Sequence, residues 1–213
     1  MFVLADGLGG HGYGEIASKE AIEAVRSYVA CNESEDLETL IRGCFTMANI
    51  KLKKIQREVG NETFFKTTMV LLIADKCNMA WGHIGDSRIY HFESRKLIER
   101  SMDHSVPQML ANAKKIKEKQ IRHHEDRSKL LRVLGAEEEN NRPYISKPEP
   151  ISKDSSYLLC SDGFWEHITE RKIEKILRKT PDANRWIEDM KSIVIKNGAK
   201  HKMDNYSAIA VFL

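Results

Sequence analysis

Thr67-Thr68-Met69-Val70-Leu71-Leu72-Ile73-Ala74, a polar pair Asp75-Lys76, then Met79-Ala80-Trp81-Gly82-His83-Ile84 is the stretch that decides the fold. Both apolar runs have strand length and strand composition, and the turn between them is too short for a helix. Residues 87–92 and 96–100 repeat the pattern around a second turn, Glu93-Ser94-Arg95. Parallel neighbours would need a crossover of about a dozen residues or more. None separates these runs, so residues 67–100 read as an antiparallel meander.

Upstream, Ala17, Ala21, Ile22, Val25, Tyr28 and Val29 recur at helical spacing, which predicts a helix over 15–30. Leu37, Leu40, Ile41, Cys44, Phe45, Ala48, Leu52, Ile55 and Val59 mark a longer amphipathic helix, stopped by Gly60-Asn61. Downstream, residues 103–135 are polar and basic. From Ser94 to Arg132 there are eleven Lys or Arg against five Asp or Glu, a surface suited to an anionic partner or simply to water. Residues 140–150 read as a loop, 157–160 as a strand, 170–178 and 184–196 as helices, and 206–213 as a closing strand. Helices grouped between blocks of hairpin-like strands indicate the α+β class.

The ends of the predicted strands share a chemistry. Phe2-Val3-Leu4-Ala5 stops at Asp6, and four glycines follow within residues 7–12. His83-Ile84-Gly85 leads into Asp86, Leu159-Cys160-Ser161 into Asp162, and Asp204-Asn205 precedes the last strand. Singly, each Asp is equally a turn or capping residue. Gathered together, they would repel by roughly 4 kcal/mol per pair at about 4 Å and an effective dielectric near 20. A cation between them removes that cost. The set therefore reads as a candidate site for hard divalent metal ions with oxygen ligands. A nucleotide cradle is the weaker reading of the glycine loop, because neither G-x-G-x-x-G spacing nor a following βαβ unit is present.

The composition agrees with one globular domain. There are 213 residues, 41% hydrophobic and 31% charged, with a net charge of +3 that is too small for a dedicated nucleic-acid binder. No apolar run approaches the roughly 18 residues of a membrane span, and no secretory signal is visible. Cys31, Cys44, Cys77 and Cys160 are scattered without C-x-x-C spacing, which suits reduced, buried thiols and a cytoplasmic setting.

In order, DGLGGH, TTMVLLIAD, WGHIGDSRIYHF, DHS, SDGFWEH and DNYSAIAVFL span nearly the whole chain. This series resembles the metal-dependent Ser/Thr protein phosphatases of type 2C, in their bacterial form. The resemblance implies a four-layer αββα sandwich, two antiparallel β-sheets flanked by helices. It implies hydrolysis of phosphoserine or phosphothreonine in proteins, in a signalling role opposing a Ser/Thr kinase. Two Mn²⁺ or Mg²⁺ ions, with a third in some members, activate a water that attacks phosphorus directly. Asp6 corresponds to the carboxylate bridging the two ions, and Gly7 to a backbone-carbonyl ligand of the second. Asp162 and Asp204 correspond to ligands of the first ion, and Asp86 and Glu166 to ligands of the third. Asp6, Asp162 and Asp204 are thus the expected catalytic core. The expected partner is a phosphorylated protein, without nucleic acid or membrane.

Other positions depart from the family pattern or carry smaller expectations. The family has a segment before its Asp-Gly motif with an Arg that holds the substrate phosphate and a Glu-Asp pair for the second metal. The chain starts at Met1 without it, so one phosphatase-like domain over 1–213, lacking that N-terminal strand segment, is expected. This motivates a second reading, a pseudophosphatase or regulatory binding module with an incomplete metal centre. Residues 103–135 fall where the family carries a variable flap. Leu8 stands where eukaryotic members have a His, and Lys66 where a Gly is usual. His11 is expected to make a structural hydrogen bond beside the loop. His123, His124 and His201 are expected at the surface, Trp81 and Trp165 in the core, and Arg88 in support of the Asp86 turn.

Overall fold

The computed structural model describes residues 1–9, 13–32, 36–61, 64–199 and 203–213. In chain order the elements are β1 (Phe2–Leu4), β2 (Gly7–Leu8), α1 (Tyr13–Cys31), α2 (Leu37–Val59), β3 (Lys66–Thr67), β4 (Met69–Ala74) and β5 (Asn78–Ile84). Then come β6 (Arg88–Glu93), β7 (Lys96–Arg100), α3 (Val106–Asn112), α4 (Glu118–Ile121), β8 (Tyr144–Ile145) and β9 (Glu149–Pro150). The last are β10 (Ser155–Cys160), α5 (Asp162–Trp165), α6 (Glu170–Leu177), α7 (Ala183–Gly198) and β11 (Ala208–Phe212). They fall into two compact units, residues 1–87 with 103–150, and residues 88–102 with 151–213.

The first unit is built on an antiparallel sheet of order β1-β4-β5-β8, with β9 also pairing β5. Along β4, Met69, Leu71 and Ile73 join one core with Ile41, Cys44, Phe45, Ala48 and Leu52 of α2 and Ala17, Ala21 and Val25 of α1. Val70 and Leu72, on the opposite face as the strand's period of two requires, are buried as well. Helix α2 is defined by its ends. The Asp36 carboxylate accepts from the Thr39 N–H, and Gly60 caps the other end at φ 72°, the left-handed conformation that glycine adopts without strain. Gln56 is the unexpected member of its buried face, donating to the carbonyls of Phe64 and Gly135 at 2.7 and 2.8 Å. Val59, expected on the apolar stripe, is exposed at the last turn.

The second unit carries the sheet β11-β10-β6-β7, with β10 buried along its whole length. Trp186 of α7 is completely buried, edge-on to Phe92 of β6 with ring centroids 5.4 Å apart. It anchors the helix on that face of the sheet, while His91 and Tyr157 stack at 4.5 Å on the other.

Three expectations need correction. The stretch 67–100 is two hairpins in two different sheets rather than one meander: β5 pairs with β4, β8 and β9, while β6 pairs with β10 and β7. The chain leaves one ladder for the other at Gly85, whose φ of 97° turns the backbone out of the strand. The loop predicted over 140–150 holds β8 and β9, with Pro150 at a sheet edge where its missing N–H is harmless. The cysteines are expected to be buried, but only Cys44 and Cys160 are; Cys31 ends α1 and Cys77 lies in a turn, and both are exposed. The helices predicted over 15–30 and 37–59 and the strand 96–100 agree with α1, α2 and β7 to within two residues.

Candidate functional site

In the first unit, Asp6 sits where the main chain leaves the large sheet for a two-stranded ribbon. Leu4 still pairs with Val70, whereas Gly7 pairs with Thr67 in the ribbon. Between them the Asp6 carbonyl accepts from the Thr68 N–H and from the Thr67 hydroxyl, both at 2.8 Å. The Asp6 N–H donates to the Thr68 hydroxyl at 3.2 Å. A Cβ on Gly7 would lie 1.9 Å from the Gly14 carbonyl oxygen. The loop can therefore lie against the start of α1 only because residue 7 has no side chain. His11 and the neighbouring positions 10 and 12 lie outside the described residues, as does His201.

Asp86 closes the other turn of this unit and is only 6% exposed. A carboxylate so buried keeps its charge only beside compensating partners. The turn is fastened to residue 104 in both directions: the His104 N–H donates to the Gly85 carbonyl at 2.8 Å, and the Gly85 N–H donates to His104 Nδ1 at 3.3 Å. A backbone N–H can only donate, so Nδ1 bears a lone pair and the ring is neutral. Burial and then the neighbouring His83 and Arg132 push the His104 pKa down to about 3, in the same sense. His83 stacks on His104 with centroids 4.6 Å apart. The His83–His104 pair was not read from the sequence, although both residues lie in quoted motifs; their neighbourhood depends on a long-range contact.

In the second unit, Asp162 and Asp204 are carried on turns that touch. Ser161 and Ser207 exchange hydrogen bonds of 3.0 Å, Ser161 N–H to the Ser207 carbonyl and Ser207 N–H to the Ser161 hydroxyl. A Cβ on Gly163 would lie 2.3 Å from the Asn205 carbonyl oxygen and 3.2 Å from that of Asp204. Each Asp also receives a backbone N–H, Gly163 to Asp162 at 2.6 Å and Asn205 to Asp204 at 2.8 Å. Asp162 opens α5 rather than ending a strand. Glu166 follows one helical turn later, its N–H donating to the Asp162 carbonyl at 2.9 Å. Residues four apart lie on one helix face.

Behind α5, Arg88 is almost wholly buried. Its guanidinium carbon lies 3.4 Å from the Trp165 ring centroid, and Nη1 is 3.2 Å from the Tyr90 hydroxyl and 3.3 Å from Glu170. Burial pushes the Tyr90 phenol up, so it stays protonated. Trp165 and Trp81 are core residues as expected. Of the adjacent pair expected at the surface, His123 is exposed, whereas His124 is half-buried with Nδ1 accepting from the Asp126 N–H at 3.1 Å. The described residues include a shallow cavity of about 530 Å³ lined by Lys119, Gln120, His123, His124 and Glu125.

Asp6, Gly7 and Asp86 thus belong to one unit, and Asp162, Glu166 and Asp204 to the other. Among the described residues, no three His, Cys, Asp or Glu side chains are gathered closely enough to hold an ion. The donor chemistry nonetheless fits a hard divalent cation, since every candidate ligand supplies oxygen.

The comparisons with known proteins agree with these motifs. The family model described as protein phosphatase 2C matches residues 1–206, and the chain belongs to that family. Its class is therefore that of the protein Ser/Thr phosphatases. The Serine/threonine phosphatase stp of Listeria monocytogenes is 28% identical over 182 residues, which cover 84% of this chain and 71% of that protein. The PstP phosphatase of Mycobacterium tuberculosis is 28% identical over 179 residues, covering 84% of this chain and 34% of that protein.

Among solved structures, the crystal structure of Mycobacterium tuberculosis PstP/Ppp superposes with a TM-score of 0.86 at 25% identity, covering 99% of this chain and 87% of that one. Stp1 of Staphylococcus aureus gives 0.83 at 25%, over 99% and 82%. The catalytic domain of PstP in complex with two manganese ions gives 0.82 at 23%, over 98% and 85%. The α+β sandwich of antiparallel sheets with flanking helices, expected from the resemblance, is the fold of this chain.

Proposed function

We propose that this chain hydrolyses phosphoserine and phosphothreonine in proteins, using two Mn²⁺ or Mg²⁺ ions, with a third held more weakly. The observation that carries the reading is the pair of touching turns that present Asp162 and Asp204, packed so closely that only glycine fits at position 163. The manganese complex of the related PstP domain supports the choice of metal. When bound, the divalent ions supply an activated water and neutralise charge on the phosphoryl oxygens.

The chain's own residues have the following roles. In the first unit, Asp6 and the Gly7 carbonyl would hold a metal ion. In the second unit, Asp162 and Asp204 would hold an ion; Asp86 in the first unit and Glu166 in the second would each be available to a weaker one. The backbone N–H groups of Gly163 and Asn205 fix the orientation of the Asp162 and Asp204 carboxylates. The basic segment 103–135 forms the flap and draws in an anionic phosphoprotein. The protein works as one phosphatase domain in the cytoplasm, opposing a Ser/Thr kinase. Among the described residues, no helix is long and apolar enough to cross a membrane.

The test is hydrolysis of a phosphothreonine peptide with added Mn²⁺, measured beside Asp162→Asn. Turnover that requires Mn²⁺ and disappears in Asp162→Asn is expected. Turnover that survives either the substitution or excess EDTA contradicts the metal mechanism. A calorimetric titration finding a single Mn²⁺ site and no turnover would turn the reading toward a regulatory module.

A further inference from the structure

We propose that Thr68 is a positioning residue whose hydroxyl ties the Asp6 turn to the Asp86 turn and so sets the metal affinity of both. This rests on the reading above that Asp6 and Asp86 hold metal.

Thr68 is 1% exposed and occupies the break between β3 and β4. It holds Asp6 at two points. Its N–H donates to the Asp6 carbonyl at 2.8 Å, and its Oγ1 accepts from the Asp6 N–H at 3.2 Å. The same Oγ1 lies 2.7 Å from the hydroxyl of Ser87, the residue after Asp86. A hydroxyl has one donor and two acceptor sites. With the Asp6 N–H on one lone pair, Oγ1 still has its proton to give Ser87, so one atom satisfies both turns. The methyl group takes part too, because a Cβ on Gly85 would lie 2.6 Å from Thr68 Cγ2. Branching at Cβ restricts the rotamer, which limits how far the hydroxyl can wander. One side chain therefore determines where two ligand-bearing turns stand relative to each other within the first unit. Groups that orient metal ligands in this indirect way contribute strongly to affinity.

The test compares two variants of the full chain after EDTA treatment, by Mn²⁺ calorimetry and by melting in EDTA. Thr68→Val keeps the shape and deletes the hydroxyl; Thr68→Ser keeps the hydroxyl and deletes the methyl group. The expected result is a loss of Mn²⁺ affinity of about tenfold or more in Thr68→Val, with Thr68→Ser markedly closer to the wild type. Unchanged Mn²⁺ affinity in Thr68→Val, whatever its melting temperature, overturns the proposal and leaves Thr68 a packing residue. Equal losses in both variants overturn it as well, because the methyl group and not the hydroxyl would then be responsible. If Thr68→Val does not fold, Ser87→Ala cuts the same link at its far end. Weaker Mn²⁺ binding there supports the proposal, and unchanged binding overturns it. Failure of the underlying metal reading is a separate outcome, since the wild-type chain would then take up no Mn²⁺ and the proposal would fall with it.

Discussion

The guanidinium of Arg88 lies over the ring of Trp165, 3.4 Å from carbon to centroid, and this contact joins β6 to the helix that begins at Asp162. A cation on an aromatic face in a desolvated site contributes about 2 kcal/mol. Trp165→Leu removes the face and leaves a cavity, so a stability loss of about 2–4 kcal/mol is expected in urea unfolding. Arg88→Met deletes the charge and exposes the other half of the interaction. In a double-mutant cycle the two changes should couple by about 1 kcal/mol or more, whereas effects additive within about 0.5 kcal/mol would show that the contact has no net worth.

Gly7 and Gly9 stand two residues apart in one loop but are glycine for different reasons. A methyl group on Gly7 collides with the Gly14 backbone at 1.9 Å, while one on Gly9 meets nothing within 4 Å and suffers only from a φ of 97°. Gly7→Ala is expected to cost about 3 kcal/mol, the upper part of the overpacking range. Gly9→Ala is expected to cost about 1–2 kcal/mol, the strain of a left-handed L-residue. Thermal melting of the two variants orders them directly, and a Gly9→Ala protein less stable than Gly7→Ala would contradict the structure.

His104 has a sharper pH consequence. Its pKa is near 6.5 in the unfolded chain and is lowered to about 3 in the fold, by burial first and then by His83 and Arg132, with Asp103 opposing. Between those values the unfolded state binds the extra proton, so stability rises with pH across the window. The contribution is fully present above about pH 6.5 and is lost progressively as the pH falls toward 3. His104→Asn offers the Gly85 N–H a carbonyl oxygen that does not titrate. Urea midpoints measured from pH 7 to pH 4 should fall more steeply for the wild type than for this variant. Parallel slopes would show that other groups carry the acid sensitivity.

Metal binding should also register without any substrate. A ligand that binds only the folded state at a hundred times its dissociation constant stabilises it by about 2.7 kcal/mol. Mn²⁺ is expected to raise the melting temperature of the wild-type chain and EDTA to reverse it. Asp162→Asn and Asp204→Asn should each lose most of the increase. An undiminished increase in both variants would put the ion somewhere else.

Much of the fold was legible because short-range periodicity carries it. The apolar stripe from Leu37 to Leu52 and the Gly60 stop defined α2 without any tertiary information. Apolar runs of strand length and the turns between them defined the strands β4 to β7. The expectation of a single meander failed at Gly85, since sheet membership depends on which distant strand supplies a ladder partner, and no local pattern encodes that. Gln56 was invisible for the same reason: a glutamine on an apolar stripe has a meaning only when two carbonyls far along the chain come to meet it.

By itself, the sequence determined the class of elements, the family, and which carboxylates stand beside the ends of strands, because an aspartate next to glycine or asparagine at the edge of an apolar run is a local event. Tertiary structure alone decided that Thr68 would serve two turns at once, that Arg88 would lie on Trp165, and that His104 would face Gly85 as a neutral ring. Those relationships are long-range contacts between residues whose own neighbours in the chain carry no trace of them.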